Sequence, residues 1–572
     1  MHFTTKTENL VKKQEFVKIK DGDICEYLLK IEFEGKQTPK RFSILWEEEQ
    51  IDISSFWSSR ESEKHFVSAD WSPRQVESRT ASELPLICLH NKADVNRVTV
   101  ALSDTENPAT LSAGTVEENG KIIMRIDLFS QLCPATESYE VIIRIDRRAI
   151  KFYDCIRDTR KWWSDLGYKC ATVPDSARLP MYSSWYSFHQ NTIPEELLYE
   201  CKLAKEYGMD TIIVDDGWQT DDNSRGYAFC GDWQVCERKI PDMKKLVDDV
   251  HNLGMKFMIW FSVPFVGTES KNYERFKGKY LRFKQRTGEA VLDPRFKEVR
   301  DFLTDIYVSS VKKYGWDGLK LDFIDSFTLT EDSSTDYESM DTVSVEQGVQ
   351  LLLEEATGKL KEINPDIMIE FRQSYVGPAI SKYGNMFRVM DCPNDPIRNK
   401  IYSLNLRLTS DTIAVHSDML MWNKNETNEA VLYQLLAIMF AVPQISIRFD
   451  SITTDHKRIL KNYLSFWRKH RDTLLSGELE LFDAEANYTL AQSKRDGECV
   501  AVLYHNVVKR IEGTNCEYIF NATGKDGIYV DSDYPACYEL YDMFGEKYEC
   551  GAIQKGLNKL PLKNCQMVKI IR

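Results

Sequence analysis

No stretch of the 572 residues stays apolar for the roughly 18–20 positions that a membrane-spanning helix needs, so no membrane span is expected. The opening residues, MHFTTKTENLVKK, contain no apolar core of a signal peptide. The 14 cysteines are scattered singly, with no C-x-x-C pair and no zinc-finger spacing. Cys230 and Cys236 are the closest pair, in a loop-like stretch, and no metal site is expected there. Free thiols in a reducing cytoplasm account for this usage most simply. Positive charge is in deficit: the formal net charge is −14, and such a surface repels phosphate backbones. Nucleic acid is therefore excluded as an expected partner. A Gly-rich phosphate turn is also missing after the first strand-like run of the central region, which argues against a dinucleotide-binding open sheet.

What is present is ordinary globular material, 42% apolar and 28% charged, which suffices for a large core. Aromatics are abundant, with 12 Trp and 27 Tyr, as suits either a sugar-binding cleft or a large interior. Residues 1–148 hold many short alternating runs, such as EYLLKIEFEG and SYEVIIRID, separated by turn signals. They predict an N-terminal β-sandwich. Residues 149–178 predict a linking helix.

From 179 to 475 the pattern changes. Apolar runs of buried parallel-strand type alternate with helical segments. Eight runs occur: LPMYSSWYSF, DTIIVDDGW, KFMIWFSVPF, DGLKLDFID, DIMIEFRQ, NMFRVMDCP, TIAVHSDMLM and QISIRFDSI. Eight such units predict a closed (β/α)8 TIM barrel, an α/β fold. Residues 476–572 return to strand-like runs and predict an antiparallel C-terminal β-domain.

Catalytic groups of such barrels lie at the C-terminal ends of the strands. Here those ends carry Asp215-Asp216-Gly217-Trp218, Lys320 with Asp322 and Asp325, Glu370 with Arg372, Arg388 with Asp391, and His416 with Asp418. An ionisable group inside an apolar strand is costly to bury unless partnered, and five strands make that choice together. Individual members have plainer explanations. Asp325 and Asp395 fit helix caps, Lys320 and Asp322 share one strand face and fit an internal ion pair, Arg388 fits a partner for Glu370, and His416 fits a satisfied core histidine. None of these explains the whole set. Two carboxylates across a pocket are what glycoside hydrolysis requires. Lysine keeps a neighbouring carboxylate ionised, and paired aspartates followed by Trp218 suit sugar hydroxyls beside an aromatic wall.

The run Asp215-Asp216-Gly217-Trp218-Gln219, the Gly231-Asp232-Trp233 turn, and the segments KIPDMKKLVDDVHNLGMKFMIWF, VLDPRFKEVRDFL and WDGLKLDFID occur in this order. Together they resemble glycoside hydrolase family 36, the α-galactosidase and raffinose-synthase family related to family 27. The resemblance covers about residues 179–475. It implies Asp322 as nucleophile, Lys320 as a galactose hydroxyl ligand, and Asp215 and Asp216 as ligands of O4 and O6. Trp185 is implied as a wall of the pocket, with Trp218 and Trp233 as further sugar-binding aromatics. Asp391, in the Arg388-Val389-Met390-Asp391 run, is implied as the acid/base, with Asp395 as the alternative. No metal or organic cofactor is required, and assembly into a homo-oligomer is implied.

Three departures bear on the substrate. Trp260-Phe261-Ser262-Val263-Pro264 replaces the usual Trp-Phe-Glu-Pro-Glu. LKLDFID replaces a KWDMN-like run. Arg372-Gln373-Ser374-Tyr375-Val376-Gly377-Pro378 stands where a Cys-Ser-Gly-Gly-Gly loop would face C2 of the sugar. Retaining hydrolysis of α-galactosides is expected. An α-N-acetylgalactosaminidase, another galacto-configured glycosidase, a raffinose-synthase-like transglycosylase and a non-catalytic sugar-binding barrel stay open.

Overall fold

A computed structural model describes residues 2–60 and 64–572. Strands of the N-terminal region form two antiparallel sheets, one of five and one of six strands, facing each other across a shared apolar core. Inward positions alternate along the long strand Ile24–Gln37, where Leu29, Ile31 and Phe33 are buried and the residues between them are not. That is the period-2 signature of a half-buried strand. The linking helix Phe152–Asp165 then leads into the centre.

Eight parallel strands follow: β1 (Met181–Ser183), β2 (Thr211–Val214), β3 (Lys256–Ser262), β4 (Gly318–Asp322), β5 (Met368–Arg372), β6 (Met386–Arg388), β7 (Ala414–His416) and β8 (Gln444–Ile445). Each pairs with its sequence neighbour up to β7. β8 pairs with β1, and a His416–Val442 bridge joins β7 to the approach of β8, so the sheet closes. The outer helices are α1 (Pro194–Glu206), α2 (Met243–Asn252), α3 (Lys297–Tyr314), α4 (Val345–Ile363), α5 (Pro396–Thr409), α6 (Asn428–Ala437) and α7 (Thr454–Ser476). Side chains of Asp242, Ser344, Asp395, Thr427 and Thr453 accept backbone N–H groups at the starts of α2, α4, α5, α6 and α7. Short polar residues at those positions set where the helices begin.

The strand-to-helix alternation is incomplete at one place. Between β5 and β6 the chain makes only a 3-10 turn, Ile380–Lys382. Gly377-Pro378 and Gly384 interrupt the segment, and the stretch that follows the linking helix meets this side, with the Ala171 N–H donating to Ser381 O at 2.8 Å. Several strands are also shorter than their apolar runs. Residues 185–188 form a short helical turn, and the run at 412–421 contributes only three strand residues. The ends of these runs leave the sheet and build the rim.

The floor of the barrel is an apolar layer of Met181, Ile213, Met258, Met368, Met386 and Ala414. Gly318 of β4 completes it by having no side chain: a Cβ there would lie 2.6 Å from Met368 O and 2.8 Å from Met258 Cγ. Methionine fills such irregular interiors well. Residues 265–292 add a three-stranded antiparallel excursion above β3. The C-terminal strands form a seven-stranded and a three-stranded sheet, antiparallel apart from two parallel pairings, Glu498–Leu503 with Cys516–Asn521 and Val508–Arg510 with Ile528–Ser532. All 14 cysteines are free thiols. No helix among the described residues is long and apolar enough to cross a membrane.

Candidate active site

Asp322 ends β4, and the next residue, Phe323, turns the chain in the left-handed region at φ 65°. For a bulky aromatic that conformation is strained and is held by its surroundings. The Phe323 ring is held between Phe265, Tyr227 and the Arg372 guanidinium. Its backbone N–H donates to Asp322 Oδ1 at 2.8 Å. Arg372 Nε donates to the same oxygen at 2.6 Å, and Trp260 Nε1 donates to Oδ2 at 3.1 Å. The Asp322 side chain is only 10% exposed. Burial favours its neutral acid, but the charges of Arg372, Lys320 and Arg388 and the Trp260 N–H outweigh burial and hold the carboxyl well below the usual range.

Beside it, Lys320 Nζ donates to Asp215 Oδ2 at 2.6 Å. Burial opposes the lysine's charge, yet Asp215, Asp322 and Glu370 outweigh it and keep the ammonium protonated. Asp215 is fixed by Ser184 Oγ, which accepts its N–H at 2.9 Å. Asp216 accepts from Gln190 Nε2 and Gln219 Nε2, both at 2.7 Å. Burial, aided by the neighbouring Asp215 charge, pushes Asp216 up to about 6. Gly217 makes this turn available: at φ 110° a Cβ would lie 2.4 Å from Gln190 O.

Arg388 is buried on β6. Its Nη1 donates at 2.8 Å to both Asp391 Oδ1 and Asp418 Oδ1, and its Nε lies 3.6 Å from Glu370. Asp418 also accepts from Tyr186 Oη and the Cys392 N–H, and burial pushes it up to about 6. The Asp391 side chain is 55% exposed at the rim. Burial of its surroundings and the Asp322 charge push it up, but Arg388, with help from Lys320 and Arg372, draws it below the usual range.

Asp215, Asp216, Lys320, Asp322, Arg372, Arg388 and Asp391 thus stand at the C-terminal ends of β2, β4, β5 and β6 around one mouth, with Lys320–Asp215, Arg372–Asp322 and Arg388–Asp391 ion-paired and Asp216 held by amide donors. Trp185 is half-buried in the turn after β1, edge-on to His189 at 5.0 Å. Trp218 and Trp233 are placed differently. Trp218 is fully buried, its Nε1 donating to Trp260 O at 2.8 Å, and it packs on Trp233, Phe261 and Trp316. Trp233 is buried against Trp260 and Phe261. Both indoles belong to one aromatic cluster with Trp260 and are buried in it, a position in the core rather than on an open wall. Asp395 caps α5, its Oδ1 accepting the Arg398 N–H at 3.0 Å. Asp325 caps no helix: its Oδ2 faces Ser374 Oγ at 3.4 Å and Arg372 Nη1 at 3.5 Å. His416 is a core histidine, bonded to Ala177 O at 2.8 Å, and burial depresses it to about 3.

The sequence did not single out Tyr186 at Asp418 or Gln190 at Asp216, and it named Trp260 and Tyr375, which meet Asp322, only within runs that depart from the family pattern. Tyr375 Oη lies 3.5 Å from Asp322 Oδ1 and donates to Leu321 O at 3.0 Å. The parallel register pairs Ser262 with Asp322 and Trp260 with Lys320. Once β3 and β4 are known to be neighbours, that register points to Trp260.

No group of three His, Cys, Asp or Glu side chains arranged to hold a metal occurs among the described residues. The α-galactosidase Mel36A of Lactobacillus acidophilus is 29% identical over 210 residues, 34% of this chain and 27% of that protein. The bifunctional α-galactosidase/sucrose kinase AgaSK of Mediterraneibacter gnavus is 27% identical over 197 residues, 31% of this chain and 20% of that protein. The alignments therefore span well under half of either relative. In fold, the galactosidase domain of AgaSK matches with a TM-score of 0.65 at 14% identity, over 96% of this chain and 78% of that one. The family 36 α-galactosidase AgaA of Geobacillus stearothermophilus, solved with stachyose, matches with a TM-score of 0.63 at 15% identity, over 96% and 79%. The Melibiase family model matches residues 177–477, more than half of the chain and the whole of the barrel with its ring of charged strand ends, and the chain accordingly belongs to the melibiase family.

Proposed function

We propose that this protein is a retaining α-glycosidase that hydrolyses terminal α-galactosides of small oligosaccharides by double displacement. The observation that carries it is Asp322: a carboxylate at the end of β4, nearly buried, held ionised, and oriented by Arg372, Trp260 and the Phe323 N–H. Those are the demands on an attacking carboxylate. Asp322 attacks C1, and Asp391 protonates the departing glycosidic oxygen and then takes a proton from the incoming water.

The electrostatics fit that exchange. In the free protein Arg388 holds Asp391 low, while the Asp322 charge pushes it up. A bound sugar removes water from the half-exposed Asp391 and raises it further, which favours the acid. Once Asp322 becomes an ester its negative charge is gone, Asp391 falls, and the base required for the second step results. Asp215, Asp216 and Lys320 supply fixed acceptors and a donor for sugar hydroxyls.

The loop after β5 favours a galactoside over an N-acetylgalactosaminide. In the family resemblance this loop faces C2, and here it holds Arg372 and Tyr375 against Asp322, with Arg372 over the Phe323 ring. A hydroxyl fits beside them, whereas an acetamido group competes for their volume.

The test is hydrolysis of aryl α-galactoside, α-N-acetylgalactosaminide, α-glucoside and β-L-arabinopyranoside by the wild type and Asp322→Ala, with product anomers followed by NMR. Galactoside turnover with retained configuration, lost by at least about 10³-fold in Asp322→Ala, is expected. Inverted product, or undiminished turnover in the variant, overturns the mechanism. Preference for another glycoside overturns the substrate assignment alone. Transfer to an added sugar acceptor in place of water identifies a transglycosylase.

A further inference from the structure

On the opposite side of the barrel from the acidic mouth lies a cavity of about 490 Å³. Its position follows from the chain path: Arg178 stands just before β1, and Thr412 just before β7, at the N-terminal ends of the strands. Four arginines line it. Arg157 and Arg160 come from the linking helix, Arg178 from the turn before β1, and Arg407 from the last turn of α5.

The charges are unequally answered. Arg157 pairs with Asp154 and Glu478, both at 3.0 Å, and Arg160 pairs with Asp411 at 3.4 Å. Arg178 and Arg407 make no carboxylate pair among the described residues. Arg178 Nη2 donates to Thr412 O at 2.6 Å, and Arg407 Nη2 donates to Gly477 O at 3.1 Å. The nearby Asp175 is engaged by Arg471 at 2.8 Å. Arg407 is 8% exposed, and its Nε is buried with no hydrogen-bond partner. A buried guanidinium without a counter-charge is costly, and here burial and the repulsion of Arg160, Arg178 and Arg157 draw Arg407 down to about 9. An anion in the cavity removes that cost, and planar guanidinium groups bind phosphate oxygens well.

We propose that this cavity is an oxyanion site for a phosphate group, carried by a small phosphate ester or by free phosphate, remote from the sugar-cleaving mouth. The volume exceeds that of a bare phosphate and is in the range of small-molecule pockets, leaving room for an esterified group of sugar size. A bound phosphate joins the linking helix, α5 and the turn before β1, and so ties the N-terminal strands to the underside of the barrel. It stabilises the folded chain by mass action.

The test is calorimetric titration of the full chain with inorganic phosphate and with a hexose 6-phosphate at constant ionic strength, with potassium chloride and the free hexose as controls. Saturable binding of phosphate or its ester, accompanied by a rise in Tm, is expected for the wild type and for Asp322→Ala alike. Arg407→Met and, separately, Arg178→Gln should each weaken it by at least about tenfold; Arg178→Gln gives the answer if Arg407→Met fails to fold. Tighter binding of the ester identifies the ester as the source, and equal binding identifies free phosphate; both uphold the site. No saturable binding, equal binding in the arginine variants, or loss of binding in Asp322→Ala overturns it.

Discussion

At the scale of single residues, the two strand-2 aspartates are chemically unequal although adjacent. Asp215 is tied to Lys320, whereas Asp216 has only amide donors and is pushed up to about 6. The sign follows directly. Below about pH 6 Asp216 takes a proton and loses acceptor capacity, so kcat/KM should fall as pH drops through that value. Asp322, far lower, remains ionised throughout. The same shift acts on stability: a carboxyl whose folded value lies above its unfolded one favours the fold when protonated, and ionisation erodes that gain as pH rises from about 4 to 6. Asp216→Asn should therefore raise stability at pH 7, on the order of 1–2 kcal/mol, while lowering kcat/KM. A pH–rate profile and a thermal melt of the variant check both signs. A variant that loses stability, or that keeps the wild-type acid limb and activity, refutes this account of Asp216.

At the scale of elements, the loops after β4 and β5 are braced from outside the barrel. Arg79 of the N-terminal region reaches Phe327 O, Asp325 O and Thr328 Oγ1, and forms a buried pair with Glu346 at the start of α4. The Glu83 N–H donates to Ser374 O at 2.6 Å. Gly377 permits this approach, since a Cβ there would lie 2.5 Å from Glu83 O. Removing one partner of a buried pair strands the other, so Arg79→Met should cost about 3–5 kcal/mol. It should also lower kcat/KM by releasing the loop that follows Asp322. Adding Glu346→Leu should return most of the lost Tm without returning the activity. Recovery of both together would mean that Arg79 acts through stability alone.

At the scale of the whole molecule, the barrel does not close its core by itself. Trp57, Ala81, Leu84, Leu86 and Cys88 of the N-terminal region belong to the same apolar cluster as the barrel helices, and Trp57 Nε1 donates to Asn405 of α5 at 3.2 Å. A chain beginning at residue 149 would expose that apolar face to water. Such a piece is expected to aggregate or to melt without cooperativity, as judged by size-exclusion chromatography and circular dichroism. A monomer with a sharp transition would show the barrel to be autonomous.

The sequence alone determined the alternation of strands and helices, the closed parallel barrel, and the row of charged residues at the strand ends. These depend on local periodicity and on the cost of placing ionisable groups in apolar strands, both written into short segments. Lys320, Asp322, Asp215 and Arg388 stood out for that reason. Tertiary structure decided what no short segment encodes: which of several candidate polar residues faces the mouth and which serves the scaffold. Asp395 became a cap and Asp391, paired with Arg388, stayed half-exposed at the rim, though three residues separate them. Trp218 and Trp233 went into the core because β3 brought Trp260 into one cluster with them. Arg79, more than 200 residues distant, came to brace the loops around Asp322, and four arginines from three segments met beneath the barrel. Contacts of that kind arise between segments far apart in the chain, where the order of residues carries no spacing to read.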